Sequence, residues 1–178
     1  QNPVQITMAY NESIDKVHYF HPGIPTIYVP FRKFIFAPNP GKQEDVYLYY
    51  HGTVGEFFGT IHKSKLVFVV NDTPNITKVF DSMLINVNKD ASKRIGEVKI
   101  TTQNQIHVLN LKNDSRAIYR EDKLRFPMRN DEYVSDRVRG HYCIVEITID
   151  NDDFTIDNEN IKTIITSIDT IFRLSHKL

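Results

Sequence analysis

Short apolar runs with a two-residue period constrain this chain more than any other feature. "VQITMAY" sets Val4, Ile6 and Met8 on one side of an extended backbone, as in a half-buried strand. "KLVFVVN" is continuously apolar, which predicts a strand covered on both faces. "KVFDSMLINV", "GEVKITTQ" and "HYCIVEITI" continue the β pattern. In "QIHVLNL", Ile106, Val108 and Asn110 alternate with His107, Leu109 and Leu111. Both sides are partly apolar, which predicts burial on both or a bulge. Val, Ile, Thr, Tyr and Phe supply 69 of 178 residues, against four Ala and eight Leu, a balance that suits pleated surfaces better than helices. The expected fold class is all-β.

The last apolar segment, "IKTIITSIDTIF", admits two readings. Ile161, Ile164, Ile165, Ile168, Ile171 and Phe172 share a helical face, yet eight of the twelve residues are β-branched. A strand is the preferred reading. Further upstream, five of the eight prolines lie between Pro22 and Pro40, where proline's missing donor confines the chain to turns and edge strands such as "TIYV" and "KFIFA". Gly52, Gly55 and Gly59 surround Phe57 and Phe58 without a helix opening or a Lys-Ser or Lys-Thr pair. They predict bulges or close backbone approach instead of a phosphate cradle. The domain boundary is expected here, separating residues 1–52 from a β-sandwich-like domain at 53–178.

Several function classes are disfavoured. Lys plus Arg and Asp plus Glu both number 22, so no net field draws in nucleic acid or an anionic membrane. No apolar run nears the roughly 20 residues of a membrane helix, and the first residues do not predict a secretion signal. The single cysteine, Cys143, excludes an intrachain disulfide and reads as a buried structural thiol. His18 and His21 have a spacing that puts them on opposite faces of a strand, so no metal is expected. "DNDDFTIDNEN" fails the calcium-loop pattern, with Thr155 where glycine is needed and Ile161 where glutamate is needed. It predicts a solvated hairpin tip. Four sequons, at Asn11, Asn71, Asn75 and Asn113, discriminate little among 14 asparagines. No hydrolase, P-loop, kinase or zinc-protease signature is present, so neither catalytic residues nor a cofactor are expected.

One stretch stands apart. "RAIYREDKLRFPMRNDEYVSDRVRG", residues 116–140, holds seven cations and five anions between two apolar runs. A nucleic-acid patch would lack the compensating acids. Mixed charge rich in arginine, with aromatic and proline anchors, suits a protein–protein seam, because arginine forks grip carboxylates at two points. The residues expected at that seam are Arg116, Tyr119, Arg120, Arg125, Phe126, Arg129, Arg137 and Arg139. The competing reading is a solvated loop with exposed ion pairs of little worth.

Four ordered blocks, "AYNESIDKVHYF", "GEFFGTIHKSKLVFVVNDTPNITKVFDSM", "YREDKLRFPMR" and "DRVRGHYCIVEITI", resemble the C-terminal part of the tail stabilisation proteins of crAss-like and related podovirus-type bacteriophages. These are the nozzle or muzzle subunits beneath the portal. Members of that family are much longer, so the chain resembles only their final portion. The opening Gln1, in place of Met, suggests cleavage or excision of an upstream part. The resemblance implies a non-enzymatic virion protein of the phage tail, arranged as a ring around the DNA exit channel. Its implied partners are other copies of itself, the upstream part of the same parent chain and neighbouring tail or portal-ring proteins, with no specific nucleic-acid recognition and no membrane. It would make residues 1–52 a terminal propeller blade. An adhesin's carbohydrate- or surface-binding β-module is the alternative, drawing on nine Tyr and eleven Phe. A glycan hydrolase comes third.

Overall fold

The computed structural model describes residues 7–21, 25, 27–49, 51–52, 55–129, 137–151, 155–156, 159–160 and 163–175. Val4, Ile6, Tyr133, Phe154 and Ile161 lie outside them. Two compact units divide the chain, residues 1–62 and 63–178. The fold is all-β, and among the described residues the one helix, α1 (Lys89–Ser92), is a single turn.

The first unit is built from hairpins. Strands β1 (Thr7–Asn11) and β2 (Lys16–His21) pair antiparallel, so His18 and His21 both fall on β2. Strands β3 (Val29–Phe31), β4 (Phe34–Asn39) and β5 (Lys42–Leu48) form an antiparallel meander. Pro30 lies on the edge strand β3, where its missing donor is tolerated. Strands β6 (Glu56–Phe57) and β7 (Thr60–Ile61) flank a two-residue turn, Phe58–Gly59, in which both φ angles are positive. Such turns match the right-handed strand twist and require glycine-tolerant backbone. Gly59 also brings its backbone close to Tyr47, whose hydroxyl would stand 3.3 Å from an added Cβ. The glycine-rich stretch is thus a set of tight turns and close approaches. Tyr49 is buried at the centre of an aromatic group, edge-on to Tyr28, Phe57 and Phe58.

The second unit is two sheets on one core. Its strands are β8 (Ser64–Val70), β9 (Lys78–Val87), β10 (Ile95–Thr101), β11 (Ile106–Asn110), β12 (Ile118–Arg120), β13 (Lys123–Pro127), β14 (Val138–Gly140) and β15 (Cys143–Ile149). The hairpin strands β16 (Thr155–Ile156) and β17 (Glu159–Asn160) and the long β18 (Ile165–Leu174) follow. One sheet runs β11-β10-β15-β8. The other is centred on β9, with β18 along one edge and β13 and β14 end to end along the other, β12 lying outside β13. Between the sheets lie Met83, Ile85, Val98, Ile100, Val145 and Ile147, all fully buried. The ambiguous final segment is a strand, and Phe172 on it packs against Phe80.

Two strand expectations need correction. "QIHVLNL" is buried on one side only: His107 and Leu109 face the core, while Ile106 and Val108 face solvent. "KLVFVVN" is an edge strand, with Phe68 and Val70 packed on the core but Val67 and Val69 more than half exposed. Local periodicity reports how apolar each side is, and not whether another layer of the same chain covers it.

Lys78 is fully buried, and its ammonium donates to the carbonyls of Thr73 (2.9 Å) and Ile76 (3.3 Å). The stem buries its methylenes while the head finds oxygen. Cys143 is also fully buried, and burial pushes its thiol up to about 12, which leaves it inert as a nucleophile at neutral pH.

Candidate docking site: an arginine-lined cleft

The charged stretch is not one loop. Residues 118–127 form the hairpin β12–β13, turning at Glu121–Asp122 with both φ angles positive. The chain then leaves the edge of β9 after Pro127, and β14 rejoins that edge at Val138. A bulge in β9 marks the same place. Ser82 pairs with Pro127 and Ile171, Phe80 pairs with Val138 and Phe172, and Asp81 between them is the extra residue. Bulges re-aim side chains and interrupt pairing. Here the Asp81 carbonyl accepts the Met128 N–H at 3.1 Å.

A cleft of about 500 Å³ opens at this interruption, and five arginines line it: Arg116, Arg125, Arg129, Arg137 and Arg173. Asp81 is the one carboxylate lining it among the described residues. Phe80, Ile118, Phe126 and Pro127 supply apolar wall. Arg173 meets Asp81 at two points, Nε to Oδ2 and Nη2 to Oδ1, both 3.0 Å. Arg116 forks onto Asp114, with Nε donating to Oδ1 at 2.9 Å and Nη2 to Oδ2 at 2.7 Å. That fork holds the Asp114 carboxyl below its ordinary value, so it stays ionised at neutral pH. Two of the five cations are therefore offset. Among the described residues no carboxylate pairs with Arg125, Arg129 or Arg137.

The eight residues expected at a seam separate into groups. Arg116, Arg125, Arg129 and Arg137 converge on the cleft. Arg120 points elsewhere, 3.5 Å from Glu121, with both side chains more than 80% exposed. Arg139 lies on β14, its N–H bonded to Gln105 Oε1 at 2.7 Å. Tyr119 packs on the core and donates to Asp122 Oδ1 at 2.7 Å, and partial burial with that bond pushes its hydroxyl up to about 12. Phe126 is 0% exposed and belongs to the core, and it borders the cleft only as part of its apolar wall. Asp81 and Arg173 were missed by sequence reading. The available signal was a lone charge inside an apolar run, in "KVFDSML" and "TIFRL".

A second charged knot has a structural role. Asp150 stands 2.9 Å from Lys63 Nζ and 2.7 Å from Lys112 Nζ, over Gly96, where an added Cβ would come within 2.5 Å of the carboxylate. This residue of the acidic run is clamped rather than solvated. Burial raises its carboxyl, but the two ammonium groups outweigh that and hold it below the ordinary value. A folded-state value below the unfolded one stabilises the fold above the unfolded value, and the contribution is lost as pH falls toward the folded one. Asp150→Asn should cost about 1–3 kcal/mol at pH 7. Thermal melts of the variant between pH 7 and pH 3 should fall less steeply than those of the native chain, and parallel curves would contradict the clamp.

Among the described residues no group of three or more His, Cys, Asp or Glu side chains is disposed to hold a metal ion. Nor is any described helix long and apolar enough to cross a membrane. Cationic forks beside apolar wall are chemically complementary to carboxylates and hydrophobic groups presented together.

No curated protein matches the chain. Residues 52–131 match the family described as Crassvirus muzzle protein C-terminal domain. The matched span runs through β6–β13 and includes the "GEFFGTIHKSKLVFVVNDTPNITKVFDSM" and "YREDKLRFPMR" blocks, together with Arg116, Arg125 and Arg129. Residues 52–131 accordingly resemble the C-terminal domain of a crAss-like phage muzzle protein.

Proposed function

We propose that this virion-associated structural protein of a crAss-like phage acts as a non-enzymatic tail subunit, part of a ring or nozzle below the portal through which DNA is ejected. The muzzle-domain match over residues 52–131 carries the reading. Its partners are further copies of itself, the upstream part of the parent chain and neighbouring tail or portal-ring proteins. Residues 1–52 then belong to a terminal propeller blade, with β3–β5 as three of its strands.

Surface chemistry supports a docked role. On the outer side of the β11-β10-β15-β8 sheet, register aligns Ile106, Thr101, Ile144 and Val69 in one row and Val108, Lys99, Glu146 and Val67 in the next. Five exposed aliphatic side chains thus form one patch ending on the edge of β8, which is unpaired among the described residues. Exposed apolar faces and apolar edges are aggregation hazards in a free monomer and natural contact surfaces in an assembly. Overall neutrality suits a conduit, since a strongly basic wall would retain DNA by counterion release.

Replacing Arg120, Arg125, Arg137 and Arg139 together with Ala should impair assembly more than it lowers the chain's own melting temperature. Paired sedimentation and thermal melts read the two effects. Part of any melting loss is assigned to Arg139, whose Nε is buried. Equal impairment of assembly and melting would point to an internal role for the group.

A further inference from the structure

The four-stranded sheet β11-β10-β15-β8 ends on two strands whose outer edges are unpaired among the described residues. On its outer side, aliphatic side chains concentrate at those two edges. Val67 and Val69 on β8 are 57% and 59% exposed, and Ile106 and Val108 on β11 are 66% and 45% exposed. Between them the two rows pass through Thr101, Lys99, Glu146 and Ile144, of which only the last is aliphatic. Neither edge carries the bulges or prolines that keep strands apart. Seven consecutive pairs join β8 to β15 and five join β11 to β10, all without a register shift, and neither strand contains proline. The one lysine of the two strands, Lys65, lies toward the start of β8 and is held 2.6 Å from Glu146. A regular aliphatic edge of this kind is a template for a further strand.

We propose that β8 of one copy pairs with β11 of a second copy, so that this sheet continues from subunit to subunit. The proposal rests on the structural-subunit reading and deepens it by naming the contact. Strand direction is the first argument for it. All three pairings within the sheet are antiparallel, so β8 runs opposite to β11. A second copy set alongside in the same orientation therefore offers its β11 antiparallel to β8. Register is the second argument. Continuing the rows without stagger sets Val69 opposite Ile106 and Val67 opposite Val108 of the next copy. Such β-branched cross-strand pairs stabilise a sheet. The following row sets Lys65 opposite Asn110, so no like charges meet. Economy of edges is the third. A twofold contact of β8 with β8 would leave both β11 edges open, whereas β8 with β11 occupies both edges of every copy. The contact is heterologous, and its repetition closes into a ring where the rotation allows it, leaving no edge exposed.

The test is cysteine trapping between copies, with thermal melts to confirm that each variant folds. Directly opposed Cβ atoms of paired strands stand about 5 Å apart, within reach of a short bismaleimide. Cys143 is fully buried, so the native chain serves as the control that does not cross-link. Val67→Cys alone and Val108→Cys alone should each stay monomeric after treatment. Mixed together, they should give a one-to-one dimer and stop there, because one cysteine-bearing edge of each kind is present. The double variant Val67→Cys with Val108→Cys should instead give a ladder of dimers, trimers and larger species. Adding Val69→Lys to the Val67→Cys chain should cut the dimer yield about tenfold, because an ammonium then faces Ile106 in place of a β-branched pair. No dimer on mixing would overturn the proposal. Val67→Cys cross-linking to itself as well as to its partner would also overturn it, since β8 would then meet β8. A yield indifferent to Val69→Lys would do so too, by showing random collision. Those failures leave the subunit reading intact if the full-length protein is still found in virions. A full-length protein absent from virions would remove that reading even if the two strands cross-linked.

Discussion

Phe126→Ala is expected to destabilise the fold by about 3–5 kcal/mol, the usual cost of removing a large aromatic side chain from a packed core. Phe126 is 0% exposed, sits opposite Met83 on the central strand β9 and belongs to the cluster shared by both sheets. At about 2–4 °C per kcal/mol for a chain of this size, the melting temperature should drop by roughly 10 °C. Denaturant unfolding monitored by circular dichroism measures it directly. A loss below about 1 kcal/mol would mean that β13 does not complete the core. Assembly should fail together with folding in this variant, unlike the pattern expected for the arginines.

Gly140→Ala is the second large effect. An added Cβ would stand 2.6 Å from Gln103 Oε1, 2.9 Å from the Tyr142 carbonyl oxygen and 3.1 Å from Thr102 Cβ. The glutamine side chain can move away, but the backbone oxygen cannot do so cheaply. Overpacking of this kind typically costs about 1–3 kcal/mol. The strand affected, β14, has only three residues holding it to β9 between Arg137 and the neighbouring sheet. Gly41→Ala is the control, since its Cβ would meet only Asn39 Oδ1 at 3.5 Å and should shift stability by no more than about 0.5 kcal/mol. Equal melting temperatures for the two variants would refute the crowding argument.

What could be read in advance follows physical locality. β-branched content identified β18 as a strand despite its helical apolar stripe, because χ1 restriction is a property of the residues themselves. The β1–β2 hairpin was likewise legible from turn chemistry, and the close backbone approach expected among the glycines occurs at Gly59, although the chain makes a tight turn there in place of a bulge. The edge position of β8 was not, since the partners of a strand depend on connections far away in sequence. The cleft was half legible. Arg116, Arg125, Arg129 and Arg137 lie in one charged stretch, but Arg173 and Asp81 arrive from β18 and the β9 bulge. The turn at Glu121–Asp122 was hidden for a different reason: neither residue announces positive φ as Asn-Gly would, so a hairpin looked like a loop.

Function as a rigid, docked building block is tested most directly by native mass spectrometry of the full-length muzzle protein, alongside the protein inventory of purified virions. The expected outcome is one closed oligomer of a single copy number, present in the particle and weakened by the arginine substitutions. A stable monomer with no place in the virion would contradict it.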